Sequence, residues 1–202
     1  YNTLTQYPIP NIQYPNTPNP QKNMALGATI YNFDISLSDV DRGVYEQFVL
    51  RVAQHPTENE DYMLTRVLAY CLEFCEGIEL AKALDDPSQP AVWARNYAGE
   101  LLLWVEVGMP DAEKIHRASK AANRVAIYTH RDPAMLRRNL AGKTIYRADE
   151  IPLFAFDRAF LAPLLGNMDR RASLSVSVNE HHLYAEMGGV MSETYLTDHK
   201  IV

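Results

Sequence analysis

A glutamate stands in a stretch of sequence where a carboxylate is costly to place. Glu106 is the sixth residue of the nearly continuous apolar run Leu101–Val107. Such a run is typical of a central strand that is buried on both faces. A carboxylate there has to be neutralised, paired or bound to a cation. Since sites in open α/β sheets gather at the carboxyl ends of strands, Glu106 is either a functional acid or a partner of a Lys or Arg on the next helix.

Two further carboxylates, Asp85 and Asp86, follow a short apolar segment and precede Pro87. If that segment is a strand, both acids leave it toward the sheet edge where Glu106 lies. Carboxylates from neighbouring strand ends form an oxygen site that suits Mg²⁺, and the metal can activate water for in-line displacement at a phosphodiester. The alternative is a pair of turn residues ahead of a proline. We therefore treat Glu106, Asp85 and Asp86 as candidate ligands of magnesium.

Basic residues concentrate in one window of an otherwise acidic chain. Residues 111–147 hold nine Lys and Arg against three acids, whereas the whole chain has a net charge of −6. Lys114, Arg117, Lys120 and Arg124 recur at three- and four-residue spacing, near one helical face. Arg117, Lys120 and Arg124 are the predicted anion-binding residues, and the alternative is a solvated helix face. The sequence pI of about 5.5 lies below the values usual for a nucleic-acid domain, so a protein partner is equally open.

The remaining metal-ligating residue types carry weaker signals. Cys71 and Cys75 share one face of a predicted helix within an apolar stripe, which predicts that both are core residues. His181 and His182 fall in a predicted hairpin turn and lack partners at zinc-ligand spacing. Two cysteines are too few for a disulfide framework, so we predict a cytoplasmic location.

Hydrophobic periodicity predicts an α/β fold with a mixed sheet that positions these residues. A β-hairpin opens the domain, and a helix over 57–76 follows, with Thr57 and Glu60 as a capping box. Leu101–Val107 is the predicted central strand, and a crossover helix over 111–124 joins it to a parallel strand at 125–129. The other predicted elements are a strand over 78–84, a loop over 85–90, a helix over 134–140, a strand near Ile145, a helix over 156–165 and a C-terminal β-hairpin over 174–185.

Composition divides the chain into two parts. Residues 1–23 hold five prolines, five asparagines and a single charged residue, Lys22, and we interpret them as a tail or leader because proline removes backbone donors. Residues 24–202 have the composition of a single globular domain. No apolar run approaches the roughly 18–20 residues of a membrane span, and no signal segment is evident, so no membrane partner is expected.

The order of several short motifs resembles the bacterial YaeQ family. These motifs are Met24-Ala25-Leu26, Ala28-Thr29-Ile30-Tyr31, Asp41-Arg42, His55-Pro56-Thr57-Glu58 and the block from Gly99 to Asp111. The resemblance covers essentially all of residues 24–202. It implies a variant of the PD-(D/E)xK nuclease fold, in which the order of hairpin, helix, strands, crossover helix and strand agrees with the predicted elements.

The resemblance also assigns roles to individual positions. In PD-(D/E)xK enzymes two acids on neighbouring strands and a Lys two residues after the second acid hold metal and position water. Glu106 matches the second acid, Gly108 occupies the lysine position, and the first acid falls to Asp85 or Asp86 by position. YaeQ proteins commonly have a glutamine where this chain has Met109, and many have an aspartate where it has Ala91.

Two hypotheses of function follow. In the first, the site is inactive and the protein binds nucleic acid or a protein partner. In the second, the protein is a Mg²⁺-dependent phosphodiester hydrolase that uses Glu106 with Asp85 or Asp86, and Lys114 or Lys120 supplies the positive charge that Gly108 cannot. Because the stabilisation of charge on a reacting phosphodiester needs both a metal and a positioned cation, loss of the strand lysine favours the first hypothesis.

Overall fold

A computed structural model describes residues 27–81 and 88–201, which form two five-stranded sheets and four α-helices. The strands are β1 (Thr29–Asp39), β2 (Val44–Gln54), β3 (Ile78–Leu80), β4 (Val92–Arg95), β5 (Leu101–Val107), β6 (Arg124–Thr129), β7 (Leu153–Ala155), β8 (Arg171–Asn179), β9 (His182–Met187) and β10 (Val190–Tyr195). The helices are α1 (Glu60–Leu72), α2 (Ala112–Ala121), α3 (Pro133–Leu140) and α4 (Arg158–Leu165). No helix in these ranges has both the length and the apolar composition that crossing a membrane requires.

The first sheet has the strand order β10-β9-β8-β1-β2. Strand β1 pairs antiparallel with β2 across the predicted hairpin and parallel with β8 on its other side. Its alternating Phe33, Ile35 and Leu37 are buried, as expected for a strand with one face on the core. The predicted C-terminal hairpin is confirmed as β8 and β9, and β10 extends it by one strand.

The second sheet has the order β3-β4-β5-β6-β7, with β5 in the centre. Strands β5, β6 and β7 run parallel, and β3 and β4 pair antiparallel on the other side. Helix α2 connects β5 to β6, which confirms the predicted strand, helix and parallel strand. The central strand is confirmed at Leu101–Val107, so Glu106 lies at the carboxyl end of the middle strand.

Helix α1 lies in the interior, where both sheets supply its neighbours. All ten residues from Met63 to Leu72 are buried, which is typical of a helix that is covered on every side. It shares one apolar core with α4, the first sheet and one face of the second sheet. Helices α2 and α3 cover the opposite face of the second sheet over a separate core. The molecule therefore has an outer helical layer, α2 and α3, that the first sheet does not reach.

Some predicted details of the helices and strands are wrong. The predicted single mixed sheet is two sheets, because β1, β2 and the C-terminal strands pair only with one another. Helix α1 begins after Asn59, whose side chain accepts a hydrogen bond from the Tyr62 amide, so Asn59 and not Thr57 is the N-cap. The strand predicted near Ile145 is absent, and β7 begins instead at Leu153. Cys75 is exposed and only Cys71 is a core residue.

Candidate functional site

Glu106 is held by two protein donors at the carboxyl end of β5. Its Oε2 lies 2.8 Å from the Nζ of Lys114, and its Oε1 accepts a hydrogen bond of 2.6 Å from the indole Nε1 of Trp104. Trp104 is two residues earlier on the strand, so both side chains share the face that α2 covers. Asp111 caps α2 by accepting from the Lys114 amide at 2.7 Å, which places Lys114 in the first turn above the carboxylate.

Burial dominates the electrostatics of this pair. The Glu106 side chain is only 2% exposed and that of Lys114 is 19% exposed. Burial raises the pKa of Glu106, and the Lys114 ammonium and the Trp104 hydrogen bond oppose that increase. A metal ion at this carboxylate would have to compete with an ammonium group already in contact. Of the two interpretations that the sequence allowed, the structure displays the glutamate paired with a basic residue of the next helix.

The other two predicted ligands, Asp85 and Asp86, lie outside the described residues. Their distance from Glu106 is therefore not part of the described geometry. Within residues 27–81 and 88–201, no three His, Cys, Asp or Glu side chains are grouped so that they could hold a metal ion. The Mg²⁺ site stays a prediction.

The three predicted anion-binding residues do not share one surface. Arg117 and Lys120 are exposed on α2. Arg124 comes after α2 has ended and begins β6, where strand alternation turns its side chain to the opposite face of the sheet. There its Nη1 lies 2.7 Å from Oε2 of Glu73. The helical spacing that grouped Arg124 with the other two does not apply beyond Ala121.

Glu73 belongs to a polar network that the sequence analysis did not anticipate. It follows the last residue of α1 and is buried. Besides its contact with Arg124, its Oε1 accepts a hydrogen bond of 2.9 Å from the Tyr128 hydroxyl on β6. Burial raises the pKa of Glu73, and Arg124 and Tyr128 oppose the shift. Its partners are more than 50 residues away in sequence, so no local spacing could have revealed the network.

A cavity of about 330 Å³ opens beside Glu58 at the carboxyl ends of β5 and β6. It is lined by Thr57, Glu58, Asn59, Tyr62, Gly108, Met109, His130 and Arg131. Gly108 has a φ of +87°, and a Cβ there would lie 3.3 Å from the Tyr62 ring. The position that the family resemblance assigns to a lysine therefore has a backbone that favours glycine, and the Tyr62 ring crowds it.

Three groups that line this cavity have perturbed pKa values, and burial raises that of Glu58. Burial lowers the pKa of His130, whose buried Nδ1 has no hydrogen-bond partner among the described residues. Burial also raises the pKa of Tyr62 to about 12. The cavity thus holds a neutral imidazole and a neutral phenol at neutral pH, which can exchange hydrogen bonds with a ligand but carry no charge.

Behind this cavity lies an ion pair of Glu58 and Arg66 whose side chains are both fully buried. Arg66 Nη2 lies 3.0 Å from Glu58 Oε1 and donates to Oε2 at 3.1 Å. The guanidinium also donates to the carbonyl oxygens of Ala53 and Ala81, each at 3.1 Å. No motif or spacing in the sequence singled out Arg66 as the partner of Glu58. The available signal was an arginine between apolar residues in the middle of the helix.

The buried carboxyl groups predict a specific dependence of stability on pH. Because the pKa of Glu73 is raised from 4.5, the folded chain retains a proton that the unfolded chain loses, and this group's contribution to the free energy of unfolding falls as pH rises above about 4.5. A Glu73→Gln variant should therefore gain stability relative to the unmodified chain between pH 4.5 and 7. Urea unfolding at several pH values measures this difference.

The Tyr128→Phe variant provides a control with the opposite sign. It removes the hydroxyl that donates to Glu73, which raises the pKa of that carboxyl further. Its stability relative to the unmodified chain should fall over the same pH range. Parallel pH profiles for all three proteins would contradict the assignment of Glu73 as a carboxyl with a raised pKa.

Comparison with known proteins finds similarity to one family throughout. The family model described as "YaeQ protein" matches residues 24–195. Curated proteins named "Uncharacterized protein YaeQ" from Escherichia coli K12 and Salmonella typhi are 34% and 33% identical over 111 residues, which is 55% of this chain. The alignment spans 61% of the length of those relatives.

Two solved structures share the fold. The crystal structure of YaeQ protein from Pseudomonas syringae is 26% identical, with a TM-score of 0.77 over 86% of this chain and 96% of that one. The YaeQ protein from Xanthomonas axonopodis pv. citri is 22% identical, with a TM-score of 0.78 over 86% of this chain and 98% of that one. The arrangement of two mixed sheets and four helices is therefore that of YaeQ structures.

Proposed function

This chain belongs to the YaeQ family, and from that premise we propose that it binds polyanions of the nucleic-acid class without hydrolysing them. The proposal includes the PD-(D/E)xK-like assignment of the second sheet, with Glu106 in the place of the second acid. It joins two features of the described residues, the closed surroundings of Glu106 and a cationic outer surface.

The observation that carries the proposal is the occupation of both Glu106 oxygens. Lys114 contacts one at 2.8 Å and Trp104 donates to the other at 2.6 Å. A carboxylate that holds a catalytic metal has to present a lone pair to the ion. For Glu106, metal binding would require the Lys114 ammonium to move away and the buried carboxylate to become accessible to the ion. This geometry supports a structural role for Glu106 as the partner of Lys114.

The outer helical layer supplies the surface for binding. Five cations are exposed on α2, on α3 and in the segment after α3, and we call them the α2–α3 face: Arg117, Lys120, Arg137, Arg138 and Lys143. The last three line a cleft of about 500 Å³ with an apolar floor that includes Leu140 and Ile201. Such cations neutralise phosphates and release counterions. The net charge of the whole chain is −6, which disfavours binding of a polyanion elsewhere on the protein.

Charge reversal on α3 tests this proposal. The Arg137→Glu/Arg138→Glu variant should bind a fluorescein-labelled single-stranded oligonucleotide at least tenfold more weakly in 50 mM salt. If each arginine contacts a phosphate, the slope of log affinity against log salt should fall by about 1.4 for a single strand. Fluorescence anisotropy over a salt series measures both quantities.

The matched control is Arg171→Glu, which reverses an exposed charge at the start of β8, in the other sheet. Its affinity for the oligonucleotide should stay within about twofold of that of the unmodified chain. Equal losses for the α3 and β8 variants would show attraction by overall charge only, and no binding by the unmodified chain at 50 mM salt would refute the proposal.

The second candidate function is the Mg²⁺-dependent hydrolase. The observation in its favour is the ammonium group of Lys114 beside Glu106, which is the relocated charge that this hypothesis needs. Metal-dependent cleavage of plain DNA or RNA that disappears in Glu106→Ala would establish hydrolysis. Saturable Mg²⁺ or Mn²⁺ binding that the same variant abolishes would support it, and its absence would remove this candidate. The cytoplasmic location stays a prediction of the sequence.

A further inference from the structure

A third cavity, larger than the two described above, lies between the two sheets, at the end where β5 and β6 begin. It has a volume of about 570 Å³, within the range of small-molecule sites. We call it the inter-sheet cleft. Its apolar wall consists of Leu72, Leu102, Leu103, Phe154, Val178 and Leu196. Neither candidate function uses this cleft, because Glu106 and the α2–α3 face both lie elsewhere.

The carboxylates that line the inter-sheet cleft already have protein donors. Asp39 accepts from the backbone amide and the Nε of Arg42 at 3.1 and 2.6 Å. Asp41 accepts from the amides of Glu180 and His181 at 2.7 and 2.8 Å. Glu73 accepts from Arg124 and Tyr128. A ligand that recognised the cleft through cationic or other donor groups would have to displace these contacts.

The two arginines of the cleft differ in how many of their side-chain N–H groups are engaged. Arg42 donates through both terminal nitrogens to the carbonyl oxygens of Phe74 and Cys71. Arg124 engages Glu73 through Nη1 alone, and its Nε and Nη2 have no hydrogen bond within the described part of the chain. These two N–H groups form one edge of the guanidinium, which is the geometry that pairs with both oxygens of a carboxylate. The Arg124 side chain is 48% exposed, so a ligand can reach it.

We propose that the inter-sheet cleft binds an apolar monocarboxylate, of the size of a medium-chain fatty acid. The carboxylate pairs with the Nε and Nη2 edge of Arg124, and the hydrocarbon chain lies against the leucine-rich wall. Burial of the chain supplies the affinity, and Arg124 determines which head group is accepted. The binding is reversible and involves no covalent step.

Calorimetric titration of the full chain with decanoate tests the proposal, with decanol and decyltrimethylammonium as probes of equal chain length. Decanoate should bind at one site, and the other two should bind at least tenfold more weakly. An Arg124→Gln variant should bind decanoate about tenfold more weakly than the unmodified chain, and its affinity for decanol should change little. Equal binding of decanoate and decanol, or equal binding of decanoate by the variant and the unmodified chain, would overturn the proposal.

A second variant and a chemical measurement distinguish a loss of ligand binding from a general loss of folding. Leu102→Trp should fill part of the cleft and leave the contact between Arg124 and Glu73 in place. It should reduce the affinity for decanoate at least tenfold. Cys75 is exposed and lines the cleft, whereas Cys71 is buried. Saturating decanoate should therefore slow alkylation of Cys75 by the uncharged reagent N-ethylmaleimide severalfold. An unchanged alkylation rate would place the ligand outside this cleft and refute the proposal.

Discussion

A Lys114→Met variant is expected to unfold with a free energy about 3 kcal/mol lower than that of the unmodified chain at pH 7. Methionine preserves most of the aliphatic volume, so the loss comes mainly from charge. Without the ammonium group, Glu106 is a buried carboxylate whose one remaining donor among the described residues is the Trp104 indole. Urea unfolding followed by tryptophan fluorescence and by circular dichroism measures the difference.

Two further variants separate the ion pair from its surroundings. Lys120→Met removes an exposed lysine from the same helix and should change stability by no more than about 0.5 kcal/mol. The double variant Lys114→Met/Glu106→Gln removes both charges and should recover most of the loss, because no buried charge is left alone. If the double variant is no more stable than Lys114→Met, the buried charge is not the cause.

An Arg66→Met variant should lose about 3–5 kcal/mol of stability, the largest effect that we expect from a single substitution. The guanidinium is fully buried and contacts Glu58 and two backbone carbonyl oxygens. Its removal leaves the buried Glu58 carboxyl without its cation and leaves the carbonyl oxygens of Ala53 and Ala81 without that donor. Equilibrium unfolding in guanidinium chloride is suited to this measurement, since the ionic denaturant weakens only exposed ion pairs by screening.

The matched control is Arg51→Met, which removes an exposed arginine from β2 and should be nearly neutral. Pairing Arg66→Met with Glu58→Leu should restore part of the stability, as is found when buried ion pairs are replaced by apolar residues. A loss below about 1 kcal/mol for Arg66→Met would show that water reaches this pair and that it does not organise the start of α1.

The parts of the fold that sequence could predict are those fixed by local pattern. The run Leu101–Val107 is apolar on both faces, and it forms the centre of a sheet. Alternation in β1 and the turn before Val44 predicted a hairpin that the register of β1 with β2 confirms. The sequence also predicted a helix that begins at Asp111, directly after the strand. A pairing of Glu106 with a basic residue of that helix was therefore one of the two interpretations, and Lys114 forms it.

The parts that sequence could not predict depend on contacts between distant segments. The separation into two sheets follows from the pairing of β1 with β8, which no spacing along the chain encodes. Strand β4 has four residues and was not predicted, because its stability comes from pairing with β3 and β5. Asn59 is the N-cap in place of Thr57, and the residue before it, Glu58, forms a buried ion pair with Arg66 that no capping pattern indicates.

The parallel pairing of β1 with β8 has a consequence for the order of events during synthesis. The β1–β2 hairpin is synthesised before its parallel neighbour β8, which begins at Arg171. Until then one edge of β1 has unpaired backbone groups, and Phe33, Ile35 and Leu37 lack the C-terminal strands and α4 that complete their core. Pairing over such a distance slows folding, and an uncovered strand edge invites association with other chains. During synthesis the first sheet can therefore be no more than two strands wide until β8 has emerged.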